Sequence, residues 1–175
     1  VSENEQKGIA FTSSHSNSIT LNNVSFNQGS GVFLEGSNDN SITDHRSIGN
    51  NQTGLVLSQS NDNKVSTSTF ENNEKGIEMG SSDENVLKNV RVIENDDFGL
   101  EVESSDNNFM NENNVSLNGG DGLHFVSSNS NTVNYTEILS NSNYGISLEA
   151  SANNLIYHND FIDNGVQAYD DSVDN

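Results

Sequence analysis

The chain has 175 residues, with 26 Asp and Glu against six Lys and Arg, a net charge of −20, and no Cys, Pro or Trp. That balance argues against nucleic acid and anionic membrane as partners, and the lack of Cys excludes disulfide staples and thiolate metal sites. No apolar run approaches the length of a membrane span and no signal-peptide pattern is present, so direct membrane insertion is not expected.

An internal repeat organises the rest. A glycine recurs at Gly8, Gly31, Gly54, Gly76, Gly99, Gly122 and Gly145, at intervals of 22 or 23 residues, and Ala168 is placed in the same phase. Apolar residues follow it at Ile9, Val32, Leu55, Ile77, Leu100, Leu123 and Ile146, with Tyr169 continuing the series. Two positions on come Phe11, Leu34, Leu57, Met79, Val102, Phe125 and Leu148. This two-residue period predicts a short strand with one buried face.

Each unit then carries a serine (Ser14 to Ser151), an asparagine (Asn17, Asn40, Asn63, Asn85, Asn108, Asn131, Asn154) and a second apolar set running from Ile19 to Ile156. A third apolar segment, exemplified by Val115 and Leu117, precedes a closing asparagine set at Asn27, Asn50, Asn72, Asn95, Asn118, Asn141 and Asn164. The one-residue deletion is placed between Asn63 and Asn72.

Leucine-rich repeats carry one strand per unit and helical repeats need spacings of three and four, neither of which is seen. Three short strands per unit, separated by Ser/Asn corners, predict an all-β, right-handed parallel β-helix of about seven coils of ~23 residues. One domain is expected over 1–175, as a piece of a longer chain. When coils stack at about 4.8 Å, like asparagines sit on one another and bond along the column, so both Asn sets read as scaffold.

These repeats, together with the closing stretch NLIYHNDFIDNGVQAYDDSVDN (Asn154–Asn175), resemble the NosD-like and CASH (carbohydrate-binding and sugar hydrolase) group, including archaeal cell-surface proteins. The resemblance implies the β-helix fold. It leaves function open, because such scaffolds carry enzymes, adhesins and structural proteins alike. It would also imply copper, but His15, His45, His124 and His158 occupy different phases or lie far apart, and Met79 and Met110 fall at core phases. Copper binding is therefore not expected. The tyrosine and Asp-Pro-His signature of alginate epimerases is also missing, since the chain has no proline.

Function in a solenoid is sought in columns of outward residues. The first outward column reads Ala10, Phe33, Val56, Glu78, Glu101, His124, Ser147, and the next includes Glu35, Glu103 and Glu149. Phe33, Glu78, Glu101, Glu103 and His124 are the candidate carbohydrate contacts, by ring stacking and hydrogen bonding. Glu78, Glu101, Glu103 and His124 are also the acid–base candidates should the chain be a polysaccharide lyase or hydrolase. Lys75 precedes a coil's glycine and is placed to reach the edge of this patch. A second column, with Asp39, Asp62 and Glu84, offers stacked oxygen ligands suited to calcium, with salt adaptation as the competing explanation. Sequons at Asn23, Asn51, Asn114 and Asn134 fit a glycosylated surface protein.

The resulting expectation is an extracellular structural or adhesive module of a cell surface. It would present acidic columns to polysaccharide, cations or neighbouring subunits, with end-to-end or lateral self-assembly. A polysaccharide-active enzyme is the alternative.

Overall fold

The computed structural model describes residues 1–172, and these form 22 strands and no helix. The strands stack into three parallel sheets, one of eight strands and two of seven, each strand pairing with its counterpart in the coils before and after. In the first coil the sheets begin with Ile9–Thr12, Ser18–Thr20 and Asn23–Ser25, here the first, second and third sheets. The chain is a parallel β-solenoid of about seven coils.

The interior is filled by the alternation read from the sequence. Val32 and Leu34, Leu55 and Leu57, Ile77 and Met79 point inward from the first sheet; Ile42, Val65, Leu87 and Met110 from the second; Phe70, Val92, Val115 and Ile138 from the third. No strand of three or four residues is stable alone, so stability comes from stacking these stripes and closing the corners.

The corners are closed by the asparagines. In the ladder through Asn40, Asn63, Asn85 and Asn108, each Oδ1 accepts both the backbone N–H and the Nδ2 of the asparagine one coil earlier, at 2.8–3.2 Å. A serine ladder runs beside it, in which the N–H of Ser37 donates to Ser60 Oγ and that of Ser60 to Ser82 Oγ, both at 3.0 Å. Buried backbone donors are thereby satisfied where no strand can do it.

Glycine opens each coil because the third sheet passes close behind it. A Cβ on Gly99 would lie 2.6 Å from Gly122 O and 2.7 Å from both Asn118 Nδ2 and Val115 Cγ1.

Three positions differ from the sequence reading. The ladder member in the fourth coil is Asn73, whose Oδ1 accepts from Asn50 at 2.9–3.0 Å, while Asn72 turns outward at φ 55. The deletion therefore shortens the corner between Asn73 and Gly76, because register is still 23 from Ser47 to Phe70 and becomes 22 from Phe70 to Val92. The same corner is shortened again at the end: Ala168 pairs with Ile146 and Tyr169 with Ser147, so Ala168 holds the first core phase and Tyr169 joins the outward column. Leu117 is 52% exposed; its left-handed backbone (φ 60) ends the strand and turns the side chain out of the core.

Candidate functional site

The first outward column lies in the predicted register, from Ala10 through Phe33, Val56, Glu78, Glu101 and His124 to Ser147. A second column flanks it: Lys7, Ser30, Thr53, Lys75, Phe98, Asp121 and Tyr144, each the residue before a coil's opening position. Apart from Ser30, side chains of this flanking column reach across to the outward residue of the next coil. The contacts differ from coil to coil.

At the N-terminal end, Lys7 Nζ sits 3.0 Å from the centroid of the Phe33 ring. One face of Phe33, the expected sugar platform, is thus already taken by a cation–π contact. Thr53 Oγ1 donates to Glu78 Oε2 at 3.2 Å. Lys75 forms an ion pair and hydrogen bond with Glu101, stands 4.0 Å from Glu78, and lies 5.7 Å from the centroid of Phe98. Phe98 stacks flat on His124, centroids 4.5 Å apart and planes 5° from parallel.

His124 meets the most developed polar cluster. Its Nδ1 is 3.0 Å from Asp121 Oδ2 and 2.7 Å from Ser147 Oγ, and Ser147 Oγ donates to Asp121 Oδ2 at 2.6 Å. The other carboxylate oxygen, Asp121 Oδ1, accepts from Asn143 Nδ2 at 2.6 Å and the Tyr144 N–H at 3.1 Å. Since the Ser147 proton goes to Asp121, Nδ1 carries a proton and donates, leaving Nε2 as the outward group.

This is not a nucleophilic triad. Serine and aspartate share one imidazole nitrogen, Ser147 is fully buried, and its hydroxyl is bonded to the acid rather than to a base.

The charges reinforce one another. The hydrogen bond to Asp121 raises the His124 pKa against the effect of burial, with the carboxylates of Asp121, Glu149 and Glu101 adding to it. Burial alone would raise Asp121, but hydrogen bonds from His124, Ser147 and the Tyr144 amide outweigh it and hold the carboxyl below its usual range. Burial likewise opposes the charge on Lys75, and Glu101, with Glu78 and Asp97, more than compensates, so its pKa is raised. The cluster is a fixed donor–acceptor surface in which Asp121 favours the charged form of the imidazole.

Of the predicted residues, the structure joins Glu78, Glu101 and His124 through Lys75 and Phe98. Glu103 is exposed in the neighbouring outward column and makes no side-chain contact with them among the described residues. Phe98 and Asp121 were missed. Their signal was phase: both sit immediately before a glycine, as Lys75 does.

Asp39, Asp62 and Glu84 line up in successive coils as exposed corner residues, each at φ 58. Beside them, Asp83 Oδ1 accepts the N–H of Asp106 at 2.7 Å and Asp106 Oδ1 that of Asn129 at 2.6 Å, so these carboxylates serve as ladder rungs. Among the described residues no group of three or more His, Cys, Asp or Glu is placed to hold a metal ion.

Three sequons differ from the fourth. Asn23 and Asn51 are exposed and Asn114 is partly so, whereas Asn134 is 4% exposed and donates to Tyr157 Oη at 2.6 Å. A glycan on Asn134 has no room on the folded chain.

No curated protein matches the sequence. Among solved structures, the periplasmic alginate epimerase AlgG superposes with a TM-score of 0.86 at 22% identity, over 91% of this chain and 43% of that one. The A-module of the Azotobacter vinelandii mannuronan C-5 epimerase AlgE6 gives 0.78 at 16% identity, over 95% and 51%. The enzymatically active domain of Bacteriophage CBA120 tailspike protein 2 gives 0.72 at 15%, over 81% and 24%. The chain thus spans about half or less of each, and at these identities the likeness is one of fold. The family model described as periplasmic copper-binding protein (NosD) matches residues 1–77 and 37–175, and with its whole length covered the chain belongs to the NosD family.

Proposed function

We propose that this chain is a glycan-contacting β-helix module working outside the cytoplasm, with the strip from Lys75 to Ser147 on the first sheet as its contact surface. One observation carries the reading: the coils share a backbone plan, yet the six cross-coil side-chain pairs along this column, which skip Ser30, each join different residue types. Scaffold would repeat. The strip offers what a sugar ring needs, namely planar hydrogen-bonding groups fixed by their neighbours beside aromatic carbon. The polysaccharide-related names of the solved structures with this fold, and the periplasmic names of the family and of AlgG, support substrate class and location.

The finer reading is a structural or adhesive role at a cell surface, archaeal in character, with neighbouring subunits as further partners and self-assembly through the end coils. Glu103 would extend the strip at its edge, and Asp39, Asp62 and Glu84 would attract calcium without enclosing it.

Copper is not part of this proposal. His15 Nδ1 accepts the Asn38 N–H at 3.1 Å, His45 is buried, His124 is held by Asp121, and His158 stacks on Tyr135. Met79 and Met110 are both in the core. The donors present do not fit a copper site.

A second reading, acid–base chemistry on a polysaccharide, is favoured by the Asp121–His124 pair, in which the carboxylate holds Nδ1 and leaves Nε2 outward. Glu101 is already committed to Lys75, which weakens it as the partner base. Incubation with a panel of neutral and acidic polysaccharides, following retention and fragment size together, separates the readings. Retention without shortening is the expected result. Fragments lost in His124→Ala would make the strip an active site, and neither retention nor cleavage would remove the glycan reading.

A further inference from the structure

A second cleft lies on the opposite side of the rod from the strip, at the corner between the second and third sheets. It has a volume of about 360 Å3 and is bordered by Asn89, Glu112 and Tyr135 on the corner and by Arg91, Asn114 and Glu137 on the third sheet. Buried Val90 and Asn113 form its floor.

Tyr135 is its most unusual member. The residue is 57% exposed, on a backbone at φ 50, a left-handed conformation that every residue of this corner column shares, from Leu21 and Asp44 to His158, and that a bulky L residue adopts at a cost. His158, one coil on, stacks against it at 5.2 Å with planes 23° apart, and Tyr157 meets it edge-on at 6.4 Å. Tyr157 is itself fixed, its Oη accepting from Asn134 Nδ2 at 2.6 Å. Tyr135 is thus braced from the C-terminal side and lines the cleft on the other.

The polar walls are equally defined. Asn114 Nδ2 holds Glu137 Oε2 at 2.8 Å, and Lys88 stands 3.7 Å from Glu112 Oε1. Arg91 has no side-chain hydrogen bond or ion pair among the described residues, although the chain carries an excess of carboxylates.

We infer that this corner cleft is a second glycan site, taking an uncharged pyranose whose C–H face stacks on Tyr135 while Arg91 and Glu137 bond its hydroxyls. Shape and chemistry agree: one braced aromatic face meets planar donors and acceptors in a cleft of the size that holds a small ligand. Charge selects the class of sugar. Arg91 and Lys88 balance Glu112 and Glu137 locally, and the net charge of −20 repels a polyanion at long range, so a neutral oligomer is favoured over a polyuronate. The site shares no residue with the strip and stands or falls separately from it.

The test uses the full chain carrying Glu101→Gln and His124→Ala, which removes the strip. It is titrated by calorimetry with cellohexaose, mannohexaose, xylohexaose and chitohexaose, with hexamannuronate as the charged control. At least one neutral oligomer is expected to bind, with at least tenfold weakening on adding Tyr135→Asn and a similar loss on adding Arg91→Ala. Asparagine suits the left-handed backbone, so Tyr135→Asn should melt no lower than its parent, which separates loss of the platform from loss of fold. Tyr135→Phe should bind within about threefold, since stacking on the ring needs no hydroxyl.

No binding by any neutral oligomer, unchanged binding in Tyr135→Asn, or preference for hexamannuronate would overturn the proposal. The strip is judged apart from this, by whether Glu101→Gln and His124→Ala weaken retention by the otherwise unaltered chain.

Discussion

Two sets of polar side chains run the length of this rod, and they follow opposite rules. The asparagine ladders repeat one residue with one bonding pattern: Asn118 Oδ1 accepts from Asn95 N and Nδ2 at 3.1 and 3.0 Å, as Asn141 Oδ1 accepts from Asn118 at 3.1 and 2.8 Å. The strip on the first sheet repeats position without repeating chemistry, passing from Lys75–Glu101 to Phe98–His124 to Asp121–Ser147. In a solenoid, sameness from coil to coil marks what holds the stack together. Departure from sameness at a fixed outward phase marks what the stack displays.

Breaking a ladder should have the largest effect on stability. Asn118 is fully buried and makes four side-chain hydrogen bonds, two accepted from Asn95 and two donated to Val92 O and Asn141 Oδ1. Asn118→Ala strands several buried partners and is expected to cost about 4 kcal/mol, on the order of a 10 °C fall in melting temperature by calorimetry. Glycan retention below that temperature should persist.

His45 tests the scaffold by pH. It is fully buried with neither ring nitrogen bonded, and burial, assisted by the positive N-terminus, lowers its pKa to about 4. The unfolded chain takes up this proton near the ordinary value of 6.5 while the folded chain does not, so stability falls as pH drops from 6.5 toward 4. The loss amounts to about 3 kcal/mol. Denaturant titrations at successive pH values should show it, and His45→Asn should flatten this part of the profile.

The strip should respond in the opposite sense. The folded pKa of His124 is raised, so the stability it contributes is fully present below its unfolded value and is lost as pH rises through the folded one. Asp121→Asn removes the charge behind that shift. It should lower the His124 pKa in an NMR titration and cost about 1–2 kcal/mol in acid, with less effect above neutrality.

Lys75→Met should matter little to stability, under about 1 kcal/mol, because a pair this close to the surface gains little over its hydration. Its loss should show in retention instead. Least of all, Leu117→Asn should change stability by no more than about 0.5 kcal/mol, and upward, because asparagine suits the left-handed corner.

The fold was legible because stacking forces identical demands on each coil. Gly99, Ser105, Asn108 and Asn118 meet the same neighbours as their counterparts one coil away, so the physics wrote a period into the chain. Corners were harder to read. Asn72 and Asn73 are both asparagines, and only their three-dimensional setting, with Asn73 bonded to Asn50 and Asn95 and Asn72 turned out at φ 55, distinguishes the rung from the turn. Leu117 has the spacing of a core residue, but its backbone leaves the strand before the side chain can follow.

The site was half legible for a similar reason. Register alone placed Glu78, Glu101 and His124 in one column, whereas Asp121 and Phe98 come from a corner whose side-chain direction no period reports. Tyr135, 57% exposed, was hidden by its sequon and by a corner position that carries no other tyrosine and mostly polar residues, Leu21 apart.

The most direct test of the central claim is amide chemical-shift mapping of the isotope-labelled chain, titrated with the oligosaccharide that the polysaccharide panel retains best. Shifts are expected in the first-sheet coils around Lys75, Phe98, Glu101, Asp121 and His124, with the Asn95–Asn118–Asn141 ladder unmoved. Absence of any shift along that strip at saturation, or shifts spread evenly through the ladders, would contradict it.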